Sequence, residues 1–209
     1  MKFLYLHGFA SSPASRKAVF FQSQLREHGI SLEIPALDQG DFEHLTISGQ
    51  LKVAESYLDG GPAVLIGSSM GGYLASLLAA RHAAVQRLVL LAPAFGFAPR
   101  WREMTGEARF TAWQDTGWLE VFNYASKSMS RVHYGLYEDA LQYAGYPDFS
   151  QPAMIFHGLN DTVVPVDLSR TFAASHANAQ LVEMDSDHEL TDVLDAIGAQ
   201  AVPFLLGNA

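Results

Sequence analysis

The stretch Ala63-Val64-Leu65-Ile66-Gly67-Ser68-Ser69-Met70-Gly71-Gly72 decides the fold. Its four leading apolar residues read as a short buried strand. From Gly72 to Ala80 the chain is apolar on most sides (Leu74, Ala75, Leu77, Leu78, Ala79), as a buried helix requires. Between the two, Gly67-Ser68-Ser69-Met70-Gly71 fits the G-x-S-x-G pattern of a sharp strand-to-helix turn that lifts a serine hydroxyl above a sheet. Only Ser69 has glycines at both flanking positions, so Ser68 does not qualify. Small neighbours are needed because the serine's backbone is strained and the chain passes close to itself on either side.

Working outward, short apolar runs alternate with longer helix-like stretches. That alternation is the pattern of an α/β protein with a predominantly parallel sheet covered by helices on both faces. Six strands are expected, at Phe3 to Leu6, Leu32 to Pro35, Ala63 to Ile66, Arg87 to Leu91, Ala153 to Phe156 and Gln180 to Met184. The first helix is predicted with Ser12 as its cap, Pro13 in its first turn, Ala14, Ala18, Phe21 and Leu25 on its inner face, and Gly29 at its end. Further helices are predicted over about Leu45 to Leu58, Ser69 to His82, Asp167 to His176 (with Asp167 as a cap) and Leu190 to Leu206, the last weakened near its end by Pro203.

The stretch from about Phe97 to Phe149 breaks the alternation. It holds all three tryptophans and five of the eight tyrosines. A structureless loop of that length is improbable in a compact domain, so it is expected to hold short helices and form a cap or lid on a single domain spanning 1–209. Most of its aromatics are expected to pack on one another and on the sheet.

Composition narrows the function classes. With 49% apolar and only 17% charged residues the chain reads as a compact globular domain. The net charge of −9 without a Lys/Arg run disfavours nucleic acid and anionic membranes as partners. The apolar run at the start stops at His7, too short for a signal peptide, and no stretch has the length of a membrane span. Absence of cysteine removes disulfides, thiolate nucleophiles and Cys-based zinc sites and fits a cytoplasmic location.

A serine hydroxyl needs a base, and in the order Ser, acid, His the histidine follows the last strand. Of eight histidines only His176 and His188 follow the late carboxylates, and His176 ends a predicted helix. His188, in Asp185-Ser186-Asp187-His188-Glu189 directly after Leu181 to Met184, is therefore the expected base. Asp161, in His157-Gly158-Leu159-Asn160-Asp161 after a strand, is the expected acid that orients it. Donors for a tetrahedral oxyanion are expected from the backbone N–H groups of Met70 and Phe9, the latter in the His7-Gly8-Phe9-Ala10 loop. His7 is expected to order that loop. No cluster of His and carboxylates suggests a metal, and no cofactor is expected.

With these residues in place the sequence resembles the α/β-hydrolase superfamily. Its opening, Leu4-Tyr5-Leu6-His7-Gly8-Phe9-Ala10-Ser11-Ser12-Pro13-Ala14-Ser15-Arg16-Lys17-Ala18, and its elbow, Gly67 to Tyr73, are similar to the YqiA-like bacterial esterases. The resemblance implies a small intracellular carboxylesterase or thioesterase with Ser69, Asp161 and His188 as its triad, acting on a small-molecule acyl ester. A thioesterase or acyltransferase using the same triad is the alternative within enzymes, and a non-catalytic ligand-binding module is the alternative outside them. Arg100, Arg102 and Arg109, which might meet the phosphates of an acyl-CoA, read first as a solvated face.

Overall fold

The computed structural model describes residues 1–207. In chain order it runs β1 (Lys2–Leu6), α1 (Arg16–Glu27), β2 (Leu32–Glu33), a 3-10 turn (Phe42–His44), α2 (Ile47–Ser56), β3 (Ala63–Ser68), α3 (Met70–Arg81) and β4 (Val85–Leu91). Then come α4 (Phe97–Thr105), α5 (Glu107–Thr116), β5 (Trp118–Asn123), β6 (Ser128–His133), α6 (Gly135–Ala140), β7 (Ala153–Gly158), α7 (Asp167–Ser175), β8 (Ala179–Met184) and α8 (Leu194–Leu206).

Six strands form one parallel sheet in the order β2-β1-β3-β4-β7-β8. Alternation along each strand divides the core between its faces. Phe3, Tyr5, Val64, Ile66, Val89 and Leu91 point to the side covered by α1 and α8. Leu4, Leu6, Leu65, Leu88, Leu90 and Ile155 point to the side of α2 and α3. Because α3 is wedged between the sheet and neighbouring elements, ten of its twelve residues are buried. The chain goes from β1 outward to β2 and then returns to the other side of β1 for β3. Such a reversal leaves a crevice at the strands' C-terminal ends, and the loops carrying Gly8 and Ser69 open there.

Several boundaries differ from the sequence expectation. Helix α1 is capped by Ser15, whose hydroxyl accepts from the Ala18 N–H. Ser12 instead closes the preceding turn, its carbonyl accepting from the Ser15 N–H at 3.0 Å, and Ala14 stays exposed. Asp167 is the first residue of α7 rather than its cap, and its carboxylate pairs with Arg170 at 2.9 Å. Helix α8 starts at Leu194 rather than at Leu190, which takes a positive φ of 55° that a right-handed helix does not accommodate.

Residues 97–149 hold three helices and, beyond expectation, an antiparallel hairpin pairing Trp118 with His133 through Asn123 with Ser128. Leu119, Asn123 and Val132 are its buried positions, while Glu120, Phe122 and Arg131 face outward. Trp113 is fully buried, its indole N–H donates to the Val132 carbonyl at 3.0 Å, and the rings of Trp101, Phe110, Tyr134 and Tyr137 surround it. Two hydrogen bonds to backbone carbonyls tie this segment to the crevice: the Ala125 N–H donates to the Ala10 carbonyl at 3.1 Å, and the Arg100 guanidinium donates to the Val163 carbonyl.

Candidate active site

Ser69 stands at the β3–α3 turn with φ 53° and ψ −118°, a strained conformation for a residue with a side chain. The glycines around it are required by close approach. A Cβ on Gly71 would lie 2.0 Å from the Leu6 carbonyl oxygen, and one on Gly67 would lie 2.3 Å from the Gly71 carbonyl oxygen. The elbow is clamped from the next strand, the Ser69 N–H donating to Leu91 O at 2.8 Å and the Ala94 N–H to Ser69 O at 3.0 Å.

The three residues singled out in the sequence come together. His188 Nε2 lies 3.1 Å from Ser69 Oγ, and His188 Nδ1 lies 2.7 Å from Asp161 Oδ2. A carboxylate only accepts, so Nδ1 carries the proton and Nε2 is free to accept from the serine hydroxyl. Asp161 Oδ1 takes the N–H groups of Val163 and Val164 at 2.8 and 2.7 Å. Burial alone would raise the Asp161 pKa. Hydrogen bonds from His157 and His188, the His188 charge and the Val164 N–H outweigh it and hold the carboxyl well below the usual range. The histidine loop is folded by the Ser186 hydroxyl on Asp192 and by Asp187, which accepts from the Glu189 N–H at 2.8 Å. It rests on Gly158, where a Cβ would meet the Ser186 and Asp187 carbonyls at 2.4 Å.

The sequence reading gave His157 no role. It is fully buried at the end of β7, with Nε2 2.7 Å from the Val164 carbonyl and 3.2 Å from Asp161 Oδ2, and Nδ1 2.7 Å from the Ser169 hydroxyl. A carbonyl can only accept, so Nε2 carries a proton and a neutral ring accepts from Ser169 through Nδ1. His157 thus braces Asp161 at Oδ2, the same oxygen that meets His188. The sequence signal was its place beside Gly158, four residues before Asp161. The other sequence candidate for the base, His176, stacks on Phe172 with ring centroids 3.9 Å apart and does not line the Ser69 cavity.

His7 bridges its loop to the chain beyond β2. Nδ1 lies 3.0 Å from the Gly8 carbonyl and Nε2 accepts the Leu37 N–H at 3.4 Å. Burial lowers its pKa, the Gly8 contact and Asp38 acting the other way. Gly8 brings the loop against the elbow, since a Cβ there would lie 3.3 Å from Ser69 Cβ. The N–H groups of Phe9 and Met70 donate to no acceptor among the described residues, and both residues border the cavity that contains Ser69. The Met70 N–H is free because it opens α3, where the first donors of a helix have no internal partner.

That cavity measures about 1140 Å³. Phe9, Trp101 and Leu119 contribute apolar wall, and Met104, Phe122, Tyr124 and Met129 form an exposed apolar rim from the 97–149 segment. Arg109 and Arg102 are exposed, as a solvated face requires, and Arg102 is paired with Glu107; Arg100 is half-buried, and Arg100 and Arg109 also border the cavity. Among the described residues no group of three or more His, Cys, Asp or Glu could hold a metal, and no helix is long and apolar enough to cross a membrane.

The parallel sheet, the strained serine between β3 and α3, and the acid and histidine following β7 and β8 define an α/β-hydrolase fold. Within that class the chain belongs to the family described as Uncharacterised protein family (UPF0227), which it matches over residues 2–205. It is similar to the mitochondrial palmitoyl-protein thioesterase ABHD10 of Bos taurus, 24% identical across 92% of this chain and 68% of that protein. Its structure resembles mouse alpha/beta hydrolase domain-containing protein 10, with a TM-score of 0.85 at 18% identity over 100% of this chain and 90% of the other. It also resembles Est1E of Butyrivibrio proteoclasticus, solved with ferulic acid, with a TM-score of 0.84 at 22% identity over 98% and 88% of the two chains.

Proposed function

We propose that this protein is a serine hydrolase that cleaves carboxylic esters through an acyl-enzyme on Ser69. The observation that carries the reading is the unbroken chain from Ser69 Oγ through His188 to Asp161, beside two backbone N–H groups with no acceptor, in one cavity. As Oγ attacks the ester carbonyl, His188 Nε2 takes its proton and Asp161 stabilises the imidazolium. The carbonyl π electrons move onto oxygen, which the N–H groups of Phe9 and Met70 receive. Collapse expels the alkoxide, protonated by His188, and leaves the acyl group on Ser69. Water, deprotonated by the same nitrogen, then releases the acid and restores the serine.

The test is labelling with a fluorophosphonate and hydrolysis of short-chain p-nitrophenyl esters. Wild type is expected to label and turn over, and Ser69→Ala to lose on the order of 10^6 in kcat. Equal behaviour of the two proteins would overturn the assignment.

A thioester preference is the second reading. It draws support from the name of the bovine relative and from the exposed apolar rim of Met104, Phe122 and Met129, which suits a long acyl chain. Matched oxygen and thiol esters of one acyl group, compared by kcat/KM, separate the two.

A further inference from the structure

The charges around the Ser69 cavity run against the charge of the molecule. The chain carries 22 acidic and 13 basic residues. Yet five of the basic ones, Arg16, Lys17, Arg100, Arg109 and Lys127, line this cavity, against two carboxylates, Glu120 and Glu189. Elsewhere five of the other eight, Lys2, Arg81, Arg102, Arg131 and Arg170, stand within 4 Å of a carboxylate, and among the described residues Arg26, Lys52 and Arg87 do not. Among the described residues none of the five lining cations stands so close to one; Arg100 and Arg109 reach only the backbone carbonyls of Val163 and Glu120.

Lys17 is the most unusual of them. It sits in the first turn of α1, directly beyond the loop that carries Phe9, and is only 7% exposed. Its ammonium makes no hydrogen bond or ion pair with any described residue. Burial lowers its pKa, while Glu189, Asp161 and Asp187 act in the opposite direction from beyond ion-pair distance. Most of Lys17 is buried while its ammonium keeps some accessible surface, and a lysine with neither hydrogen bond nor ion pair in so enclosed a place is poorly solvated. The open side of Lys17 is the cavity, so a ligand is what can supply the missing counter-charge.

We propose that Lys17 is the anchor of an anion subsite in the Ser69 cavity, with Arg16, Arg100, Arg109 and Lys127 providing a cationic surround, and that the ester this protein turns over carries a negatively charged group. The inference rests on the serine-hydrolase reading for its chemistry but not for its binding. Lys17 selects the substrate and takes no part in bond making.

Two matched pairs place the anion on either side of the ester: 3-acetoxybenzoate against 3-acetoxybenzamide for the leaving group, and monomethyl glutarate against methyl valerate for the acyl group. Wild type is expected to favour the anionic member of at least one pair by about ten-fold or more in kcat/KM, the scale of one charge-assisted hydrogen bond. Lys17→Met, which keeps the length of the stem, is expected to bring that ratio close to one. Continued turnover of the neutral member reports that it is folded, and Lys17→Arg is expected to recover part of the preference. Calorimetric binding of 3-hydroxybenzoate and glutarate to wild type and Lys17→Met needs no turnover, so it tests the subsite even if the serine assignment fails. Equal handling of charged and neutral members by wild type, or a preference and a carboxylate affinity that Lys17→Met leaves intact, would overturn the proposal.

Discussion

Both oxygens of the Asp161 carboxylate are committed, Oδ1 to the Val163 and Val164 N–H groups and Oδ2 to His188 and His157. This geometry separates holding the imidazole from merely being near it. Asp161→Asn keeps size and shape but places an amide NH₂ or a weaker acceptor against His188 Nδ1, favouring the wrong ring tautomer. A loss of about 10^4 in kcat is expected, with KM little changed, from steady-state ester hydrolysis. His157 acts one step further out and touches no reacting atom. His157→Phe removes its hydrogen bonds to Asp161, Val164 and Ser169 and leaves two buried acceptors short of a donor. The folded protein is expected to lose about 2 kcal/mol or more in urea unfolding. A pH–rate profile on the same variant should shift its acidic limb, because one of the partners that stabilise the Asp161 carboxylate is gone. A variant with lower stability and an unmoved pH profile would make His157 structural only.

At the scale of elements, glycines do most of the positioning, because the crevice is assembled by backbone passing close to backbone. Gly71→Ala forces β1 and α3 apart at a Cβ-to-carbonyl separation of 2.0 Å, and neither partner is a flexible side chain. It is expected to cost about 3 kcal/mol or more, read from chemical denaturation. The start of α1 offers a milder test. Ser15→Ala removes the cap and should cost about 1 kcal/mol, a fall in Tm of about 2–4 °C for a chain of this size, while Ser12→Ala should cost clearly less. Two serines three residues apart, both near Pro13, offer the same local cap signal; which one starts the helix depends on the turn that Ser12 closes and on how the chain leaves the Phe9 loop. The hairpin of β5 and β6 was hidden for a related reason. Its buried positions are few, Leu119, Asn123 and Val132, and its outward face carries Phe122 and Met129 at the cavity rim, so the apolar alternation that marks a strand is blurred. Conversely, Ser69, Asp161 and His188 were legible because each follows a strand at a spacing that the order of the sheet makes meaningful. Lys17 was not, since nothing local distinguishes an unpaired lysine of this kind from an ordinary one, and the place of His157 beside Gly158, four residues before Asp161, marks where it lies but not that it is buried and partnered.

Across the whole molecule, Asp161 couples the candidate site to stability. It is enclosed by β7, the loop before α7 and the histidine loop, so its charge state is felt by all three segments. Its folded pKa lies below the unfolded value of about 4. A group depressed in this way adds stability above its unfolded pKa and loses it as the pH falls through the folded one, because protonation then favours the unfolded chain. Asp161→Asn cannot titrate, so the difference in stability between wild type and this variant isolates the contribution. Thermal melts taken from about pH 7 down to about pH 3 are expected to show wild type ahead at neutral pH and the gap narrowing below about pH 4. A gap that stays constant would mean that the amide forms contacts as good as those of the protonated acid at every pH, and that the hydrogen bonds of His157 and His188 do not depend on the carboxylate charge. A gap that widens toward acid would reverse the sign of the shift and place the unfavourable burial of Asp161 above its four hydrogen-bonding partners.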